Sequence, residues 1–180
     1  RPAPALRLQA VVRRCAMLLG LAALLVAGAA RAAVWAPDAF ASAGGANGGV
    51  YTVAQQSDGK VLIGGGFTQV AGIARSRIAR LLTDGTLDPD FDPGSGFDGD
   101  VQSIVVQADG RILVGGGFTG YDGTPRSNVA RLLADGSIDA SFDSSSGANG
   151  GVVSMAQQVD GRIVIVGSFT QYAGVGRIRV

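Results

Sequence analysis

The sequence contains no histidine and no glutamate, and its 180 residues include one cysteine, Cys15, and one lysine, Lys60. Catalytic triads, histidine zinc sites and histidine general bases all need an imidazole, so none of these sites can be built from the residues of this sequence. The 14 acidic residues are all aspartates. Aspartate, arginine, tyrosine and a single lysine are therefore the side chains left for acid–base chemistry.

Charge is sparse and unevenly distributed along the chain. Residues 1–32 contain five arginines and no acid, which leaves ten basic residues against 14 aspartates in 33–180. The longer part is thus weakly acidic, whereas nucleic acids and anionic membranes are held mainly by clustered positive charge. We expect no nucleic-acid partner.

The N-terminal segment has the three parts of a secretory signal peptide. Arg13-Arg14 precedes an uncharged run of 16 residues from Cys15 to Ala30, and Ala30-Arg31-Ala32 follows. This order predicts a signal peptide over 1–32, cleaved after Ala32. A membrane anchor is the alternative, but the run is shorter than the roughly 20 residues that a spanning helix needs. We expect a secreted, periplasmic or surface protein with no membrane span and, without Cys15, no disulfide.

The rest of the chain repeats with a period of 51 residues, visible at Phe40, Phe91 and Phe142. Such a period indicates a propeller, a solenoid or another array. The predicted units are the tail of a repeat at 33–49, a first repeat at 50–100, a second at 101–151 and a truncated third at 152–180.

Five regularly spaced Asp-Gly pairs, which begin at 58, 84, 109, 135 and 160, divide each repeat into two hairpins. Asp-Gly favours a type I′ turn between antiparallel strands. In the first repeat the predicted hairpins join Val50–Gln56 to Val61–Phe67 and Arg77–Leu82 to Leu87–Phe91. Four strands in about 50 residues are typical of one propeller blade.

These hairpins predict an all-β fold, a β-propeller of four-stranded antiparallel blades. Six or seven such blades would need roughly 300 to 360 residues. We therefore expect an incomplete ring, with the remaining blades in a missing C-terminal part and segment 33–49 as a strand that closes the ring.

One glycine position is shared by all three repeats, at Gly65, Gly116 and Gly167. It predicts a close approach of two backbones or a β-bulge. A phosphate-binding loop is the alternative for Gly64-Gly65-Gly66, but no P-loop lysine and serine, and no helix, follow.

Several motifs together resemble the delta-60 repeat, a secreted bacterial β-propeller family of unknown function. The resemblance covers about residues 37 to 180 and rests on Leu87-Asp88, Asp109-Gly110-Arg111-Ile112, Gly116-Gly117-Phe118 and Ala130-Arg131-Leu132. Kelch repeats share the glycine doublet, but the tyrosine and tryptophan that they place after it are missing. The resemblance implies a propeller fold and extracellular placement, and it supplies no catalytic residues.

Three alternating aspartates, Asp88, Asp90 and Asp92, are a candidate calcium site. The spacing fails the EF-hand pattern, because Pro93 stands at the sixth position and Gly99 at the twelfth. We predict turn-forming aspartates and no cofactor, with calcium as the alternative.

Two arginines, Arg80 and Arg131, recur inside apolar strands, where a charge needs a partner. The predicted partners are the recurrent aspartates Asp88 and Asp139, in structural ion pairs.

Residues that differ between repeats are candidates for binding, because loops on a rigid scaffold commonly carry it. Tyr121, Asp122 and Tyr172 are the predicted ligand contacts on one rim, and plain solvated loops are the alternative.

The sequence leaves two functions open. The favoured hypothesis is a non-enzymatic scaffold that binds a protein or a glycan at the cell surface, because the aspartates recur with the repeat at turn positions. An active site, in contrast, is asymmetric and separates the pKa values of its groups. The alternative is a propeller hydrolase or lyase that uses paired aspartates in the central channel, with or without calcium.

Overall fold

A computed structural model describes residues 44–142 and 147–176. All of them belong to one of the two units into which the chain divides, Ala36–Val180. The predicted signal peptide at 1–32 and the first part of the predicted tail, 33–43, lie outside the described residues.

Every regular element among the described residues is a β-strand, as predicted. The first repeat contains β1 (Val50–Gln55), β2 (Val61–Gly65), β3 (Gln69–Val70), β4 (Ile73–Ala74) and β5 (Ile78–Leu81). The second contains β6 (Val101–Val106), β7 (Ile112–Gly116), β8 (Gly120–Tyr121), β9 (Thr124–Pro125) and β10 (Val129–Leu132). The third contains β11 (Val152–Gln157), β12 (Ile163–Gly167), β13 (Gln171–Tyr172) and β14 (Val175–Gly176). Across these residues no helix could span a membrane.

Each of the first two repeats forms a three-stranded antiparallel sheet whose second strand lies in the middle. The orders are β1-β2-β5 and β6-β7-β10, and β11 pairs with β12 in the third repeat. The fourth strand predicted at Leu87–Phe91 is reduced to one bridge, between Leu81 and Leu87. Asp88 is the reason, because its carboxylate accepts the backbone N–H of Asp90 at 2.9 Å and bends the chain out of the sheet.

These five Asp-Gly pairs lie at hairpin tips, as predicted, but the type I′ turn predicted for them was wrong. Gly59 has a φ of 87°, whereas Asp58 is not among the residues with positive φ. The Gly59 N–H donates to the Gln56 carbonyl at 3.0 Å, and the Gln56 N–H donates to the Lys60 carbonyl at 2.8 Å. A type I turn followed by a left-handed glycine closes such a three-residue loop, so only the glycine needs positive φ.

The shared glycine position marks a close backbone approach, which confirms that prediction. A Cβ atom on Gly116 would overlap the carbonyl oxygen of Asp100, and the pairing of β6 with β7 shifts register between Val101 and Ser103. Gly65 and Gly167 occupy the same setting against Gly49 and Gly151.

The core lies mainly between successive sheets. One buried cluster joins the first repeat to the second and contains Leu62, Val101, Ile104 and Val114. A second joins the second repeat to the third and contains Leu113, Val152 and Met155. Stability therefore depends on neighbouring repeats covering each other, as in other repeat proteins.

Candidate functional site

Short hairpins and inter-repeat links meet at one end of the sheets. Antiparallel pairing places the start of the first strand and the end of the second at the same end. One backbone bridge joins each hairpin to a link: Ala46 to Val70, Phe97 to Tyr121, and Ala148 to Tyr172. We call this end the rim, which comprises residues 44–49, 66–77, 95–100, 117–128, 147–151 and 168–176.

The rim hairpins end in true type I′ turns. In the second repeat Asp122 and Gly123 have φ angles of 43° and 71°, and the equivalent Ala71-Gly72 and Ala173-Gly174 pairs are also positive at both residues. Aspartate tolerates this conformation better than alanine, since its short polar side chain can hydrogen-bond locally.

Asp98 fastens the second hairpin to its link. Its Oδ1 accepts the backbone N–H groups of Thr119 at 2.8 Å and Gly120 at 3.0 Å, and its Oδ2 accepts the Thr119 hydroxyl at 2.5 Å. Burial disfavours the charged form, but the Thr119 and Gly120 hydrogen bonds outweigh it and hold the pKa of Asp98 below its usual value. Asn47 and Asn149 accept the same backbone bonds in the other repeats.

Asp122 faces solvent at the tip of the hairpin, and Ser95 of the link holds its carboxylate by hydrogen bonds. Its Oδ1 accepts the Ser95 backbone N–H at 2.9 Å and the Ser95 hydroxyl at 3.1 Å. These two bonds lower the pKa of Asp122, the backbone bond more than the hydroxyl. The Asp122 Oδ2 receives no hydrogen bond from any residue that the structure describes.

A cavity of about 310 Å³ lies between the hairpin and the link. Its walls include Ser95, Phe97, Asp98, Thr119, Asp122 and Thr124. The polar walls are mainly hydroxyl and carboxylate oxygens, which accept hydrogen bonds from hydroxyl, amine or guanidinium groups. The arrangement therefore suits binding of a donor-rich ligand.

The predicted contact Tyr121 lies behind this cavity. It is 1% exposed, its ring packs on Phe97 with centroids 4.4 Å apart, and its hydroxyl donates to the carbonyl of Gly136. Burial, with smaller contributions from nearby aspartates such as Asp122, raises the pKa of the Tyr121 phenol. Tyr121 thus shapes the cavity from the core, and its side chain does not reach the rim surface.

The other predicted contacts separate. Asp122 lines the cavity, whereas Tyr172 occupies the equivalent hairpin of the third repeat, where it packs half-buried against the cluster that contains Leu113 and Val152. Sequence reasoning missed Ser95 and Asp98. The recurrence of Asn47, Asp98 and Asn149 at intervals of 51, each with a threonine 21 residues later, was the available signal for Asp98.

Two of the three candidate calcium residues, Asp88 and Asp92, have partners within the protein. Asp88 pairs with Arg80 at 2.7 Å and with Lys60 at 3.0 Å, and Asp92 accepts the Gly94 N–H at 3.0 Å. Among the described residues no three aspartates converge as metal ligands. The turn-forming role is confirmed for Asp88 and Asp92.

The predicted ion pairs are confirmed in both complete repeats. Arg131 pairs with Asp139 at 2.7 Å, as Arg80 does with Asp88, and Arg111 takes the place of Lys60 at 3.3 Å. Both pairs connect the third strand to the segment after the second hairpin.

Three stretches of the chain match one known family. A family model described as a domain of unknown function (DUF5122) beta-propeller matches residues 56–91, 107–142 and 158–180, more than half of the chain. The chain belongs to this β-propeller family. The match is consistent with the delta-60 resemblance and with the all-β fold. No curated protein and no solved structure shows significant similarity to the chain.

The candidate site lies partly outside the stretches that this DUF5122 family model matches. Thr119 and Asp122 lie in the second matched stretch, whereas Ser95 and Asp98 lie in the segment between the first and the second. The cavity therefore combines a hairpin that the family model matches with a link that lies between two matched stretches.

Proposed function

We propose that this chain is a secreted, non-enzymatic scaffold of β-propeller repeats that binds a glycan or a protein through its rim. The observation that carries the proposal is the cavity between the second rim hairpin and its link, lined by Asp98 and Asp122. Its volume is at the lower end of the range for small-molecule sites, about 300 to 1,000 Å³. One sugar unit or one long side chain is the size of ligand that fits.

The geometry at Asp122 favours a ligand with hydrogen-bond donors. Ser95 holds Oδ1 in place, so the carboxylate is oriented before a ligand arrives. Oδ2 can then accept from a sugar hydroxyl, an amino sugar, or a lysine or arginine side chain. A pre-oriented acceptor loses little side-chain entropy on binding, which supports affinity.

The electrostatics support binding more than catalysis. A propeller hydrolase or lyase would need a general acid that keeps its proton near neutral pH, which requires a raised pKa. Each aspartate with a resolved shift, Asp98 and Asp122 included, has its pKa lowered. These carboxylates are acceptors at neutral pH.

Export is the second part of the proposal, and the order of residues in 1–32 supports it. Material recovered outside the cytoplasm should begin at Ala33 by N-terminal sequencing. Exported material that still begins at Arg1 would contradict it.

The test is binding to an array of neutral and amino-sugar glycans, and to basic peptides, by wild type and Asp122→Asn. Asparagine adopts positive φ readily and can keep the Ser95 bond through its amide oxygen, so the hairpin should be preserved. Loss of the charge should weaken binding about tenfold, because charge-assisted hydrogen bonds are roughly twice as strong as neutral ones.

Asp58→Asn is the matched control, since it removes an exposed aspartate at a hairpin tip at the other end of the sheets. It should leave binding unchanged. Equal binding by all three proteins would refute the rim site. Turnover of a polysaccharide that an aspartate substitution abolishes would replace the scaffold by the hydrolase or lyase.

A further inference from the structure

The second rim hairpin and its link differ from their equivalents at the residues that line the cavity. Asp98 replaces asparagine, Gly120 replaces glutamine, Asp122 replaces alanine, and Thr124 replaces isoleucine or valine. The equivalent residues are Asn47, Gln69, Ala71 and Ile73 in the first repeat, and Asn149, Gln171, Ala173 and Val175 in the third. Together these changes remove one long side chain and add two negative charges and a hydroxyl.

The glycine opens the cavity beside Asp98. A Cβ atom on Gly120 would stand 3.3 Å from Asp98 Oδ2 and 3.5 Å from the Thr124 carbonyl oxygen. The glutamine of the other repeats begins at this Cβ position, so its side chain would start next to both oxygens. Gly120 does not have positive φ, so the backbone does not require glycine there. The glycine therefore leaves space from which a ligand can reach the Asp98 carboxylate.

The exchange of asparagine for aspartate reverses one hydrogen bond. In the first repeat the Asn47 amide donates to the Thr68 hydroxyl at 2.9 Å, and the third repeat has the same bond at 3.0 Å. Those hydroxyls keep their own protons for other partners. The ionised Asp98 has no proton to give, so Thr119 donates its hydroxyl proton to Asp98 at 2.5 Å and keeps only its acceptor lone pairs.

The second carboxylate has the same effect on its hydroxyl partner. Ser95 donates its hydroxyl proton to Asp122 Oδ1 at 3.1 Å, so its oxygen can also only accept further bonds. Asp98 and Asp122 are both ionised at neutral pH, since each pKa lies below its usual value. Among the described residues no lysine or arginine lines the cavity. The cavity thus offers two negative charges and two acceptor hydroxyls, without a cation of its own.

The rest of the wall is partly apolar, because Phe97 and Pro125 also line the cavity. An arginine side chain matches both parts, since it has an apolar stem and a planar head with five N–H donors and no acceptor. Lysine has three donors on a compact, strongly hydrated ammonium, which suits separated acceptors less well. A neutral sugar has hydroxyls that also need donors, and the Ser95 and Thr119 hydroxyls do not supply them.

We propose that this cavity binds the guanidinium of an arginine side chain that a partner protein presents. The inference rests on the rim site proposed above and names its ligand, an arginine-containing segment in place of a glycan or protein in general. The guanidinium donates to the carboxylates of Asp98 and Asp122 in charge-assisted hydrogen bonds, and its stem packs on Pro125. A ligand with five donors can satisfy both carboxylates at once.

The test measures binding of the full chain to a blocked tripeptide, acetyl-Gly-Arg-Gly-amide, by NMR titration. Two matched probes replace the arginine by lysine or by citrulline, in which a neutral urea takes the place of the guanidinium. The arginine peptide should bind about tenfold more tightly than either, and it should shift the amide signals of 95–98 and 119–124. Equal affinity for the arginine and citrulline peptides, or shifts confined to other residues, would overturn the proposal.

Two variants restore residues of the other repeats, so the hairpin geometry has a precedent for each. Asp98→Asn returns the hydrogen bond of the first repeat and should weaken arginine binding about tenfold. Gly120→Gln should abolish it, because the side chain fills the space beside Asp98. Asn47→Asp makes the opposite exchange in the first repeat, where Gln69 and Ala71 remain, and should leave binding unchanged. Undiminished binding by either cavity variant, with circular dichroism showing an intact β-sheet, would refute the arginine site.

Methyl glycosides of a neutral sugar and of an amino sugar separate this inference from the rim site on which it rests. A sugar that shifts the same amide signals while the arginine peptide does not would overturn the inference and leave the rim site standing. An amino sugar that binds as tightly as the arginine peptide would also overturn it, in favour of a glycan. Absence of binding by every probe would refute both proposals.

Discussion

At the scale of single residues, glycine is required where two backbones meet. A Cβ atom on Gly116 would overlap the carbonyl oxygen of Asp100, an atom that cannot rotate away as a side chain can. The neighbouring Gly117 has no atom within 4 Å of a Cβ position and does not have positive φ. Two adjacent glycines of one motif thus have different reasons to be glycine.

This difference makes a matched pair of substitutions. Gly116→Ala should lower the free energy of unfolding by about 3 kcal/mol or more, because relief of the overlap has to separate β6 from β7. Gly117→Ala should change it by less than about 0.5 kcal/mol. Urea denaturation of both variants measures the effect, and equal stability would show that the two strands separate without cost.

The close approach at Gly116 followed from the sequence, since the glycine recurs in every repeat while its neighbours vary. The burial of Tyr121 did not. The equivalent residues are Val70 and Tyr172. Tyr121 stands between Gly120 and Asp122, and glycine and aspartate are typical of exposed loops. Its position in the core depends on Phe97, which is 24 residues away in the sequence and belongs to the link.

At the scale of elements, the ion pairs hold the segment that lacks a fourth strand. Asp88 has a fully buried side chain, and its carboxylate contacts Arg80 at 2.7 Å and Lys60 at 3.0 Å. Arg80 also lies over the ring of Phe91, 5.0 Å from its centroid. Side-chain contacts therefore replace most of the ladder hydrogen bonds that a full strand would make.

Asp88→Asn tests this replacement. It leaves two cations facing a neutral amide, so the free energy of unfolding at pH 7 should fall by about 3 kcal/mol. Thermal denaturation measures the loss, and Asp58→Asn at an exposed turn should have an effect below about 0.5 kcal/mol. A loss at Asp88 as small as that at Asp58 would contradict a structural role.

The pH dependence of the same pair has a definite sign. Burial alone would raise the pKa of Asp88, but hydrogen bonds from Lys60, the Asp90 N–H and Arg80 lower it below the ordinary 3.8. A lowered folded-state pKa gives stability that is present above the unfolded value and is lost as the pH falls through the folded one. Asp88→Asn should therefore destabilise the protein less at pH 2 than at pH 7.

The rim hairpins show which elements were predictable. The Asp-Gly series at spacings of 25 and 26 located the longer hairpins. Asp122-Gly123 does not belong to that series, and the equivalent pairs in the other two rim hairpins are Ala-Gly. Two-residue strands such as β8 and β9 contain too few positions for an alternating pattern. Their stability comes from Asp98, which accepts two backbone N–H groups and a hydroxyl from Thr119 and Gly120.

At the scale of the whole molecule, the period of 51 residues predicted a series of similar sheets in sequence order, each covering its neighbour, and the motifs within it predicted the family. It did not predict which repeats are fully covered. Within the described residues the main sheet of the third repeat consists of β11 and β12, and Ile163 and Ile165 of β12 are half-buried, whereas the equivalent Ile112 and Val114 are fully buried. The third repeat therefore depends on the second for much of its core.

Gly115→Val should separate these two repeats without unfolding the first. Val166 occupies the equivalent position in β12, so the substitution introduces a side chain that the third repeat carries there. At Gly115 even a Cβ atom would lie 2.8 Å from Val152 Cγ1 and 2.9 Å from Met155 Sδ. Hydrogen exchange should then show lost protection in β11 and β12 and retained protection in β2 and β5, since repeat proteins open at their weakest interface.

Met155→Ala tests whether Gly115→Val acts by crowding this interface. Alone it should cost about 2 to 5 kcal/mol, because it leaves a cavity beside Gly115. Combined with Gly115→Val it should cost less than the sum of the two single effects, since the valine fills that cavity. Additive effects, or a loss of protection shared equally by β2, β5, β11 and β12, would show that the sheets unfold as one unit and that the interface at Gly115 is not the weak point.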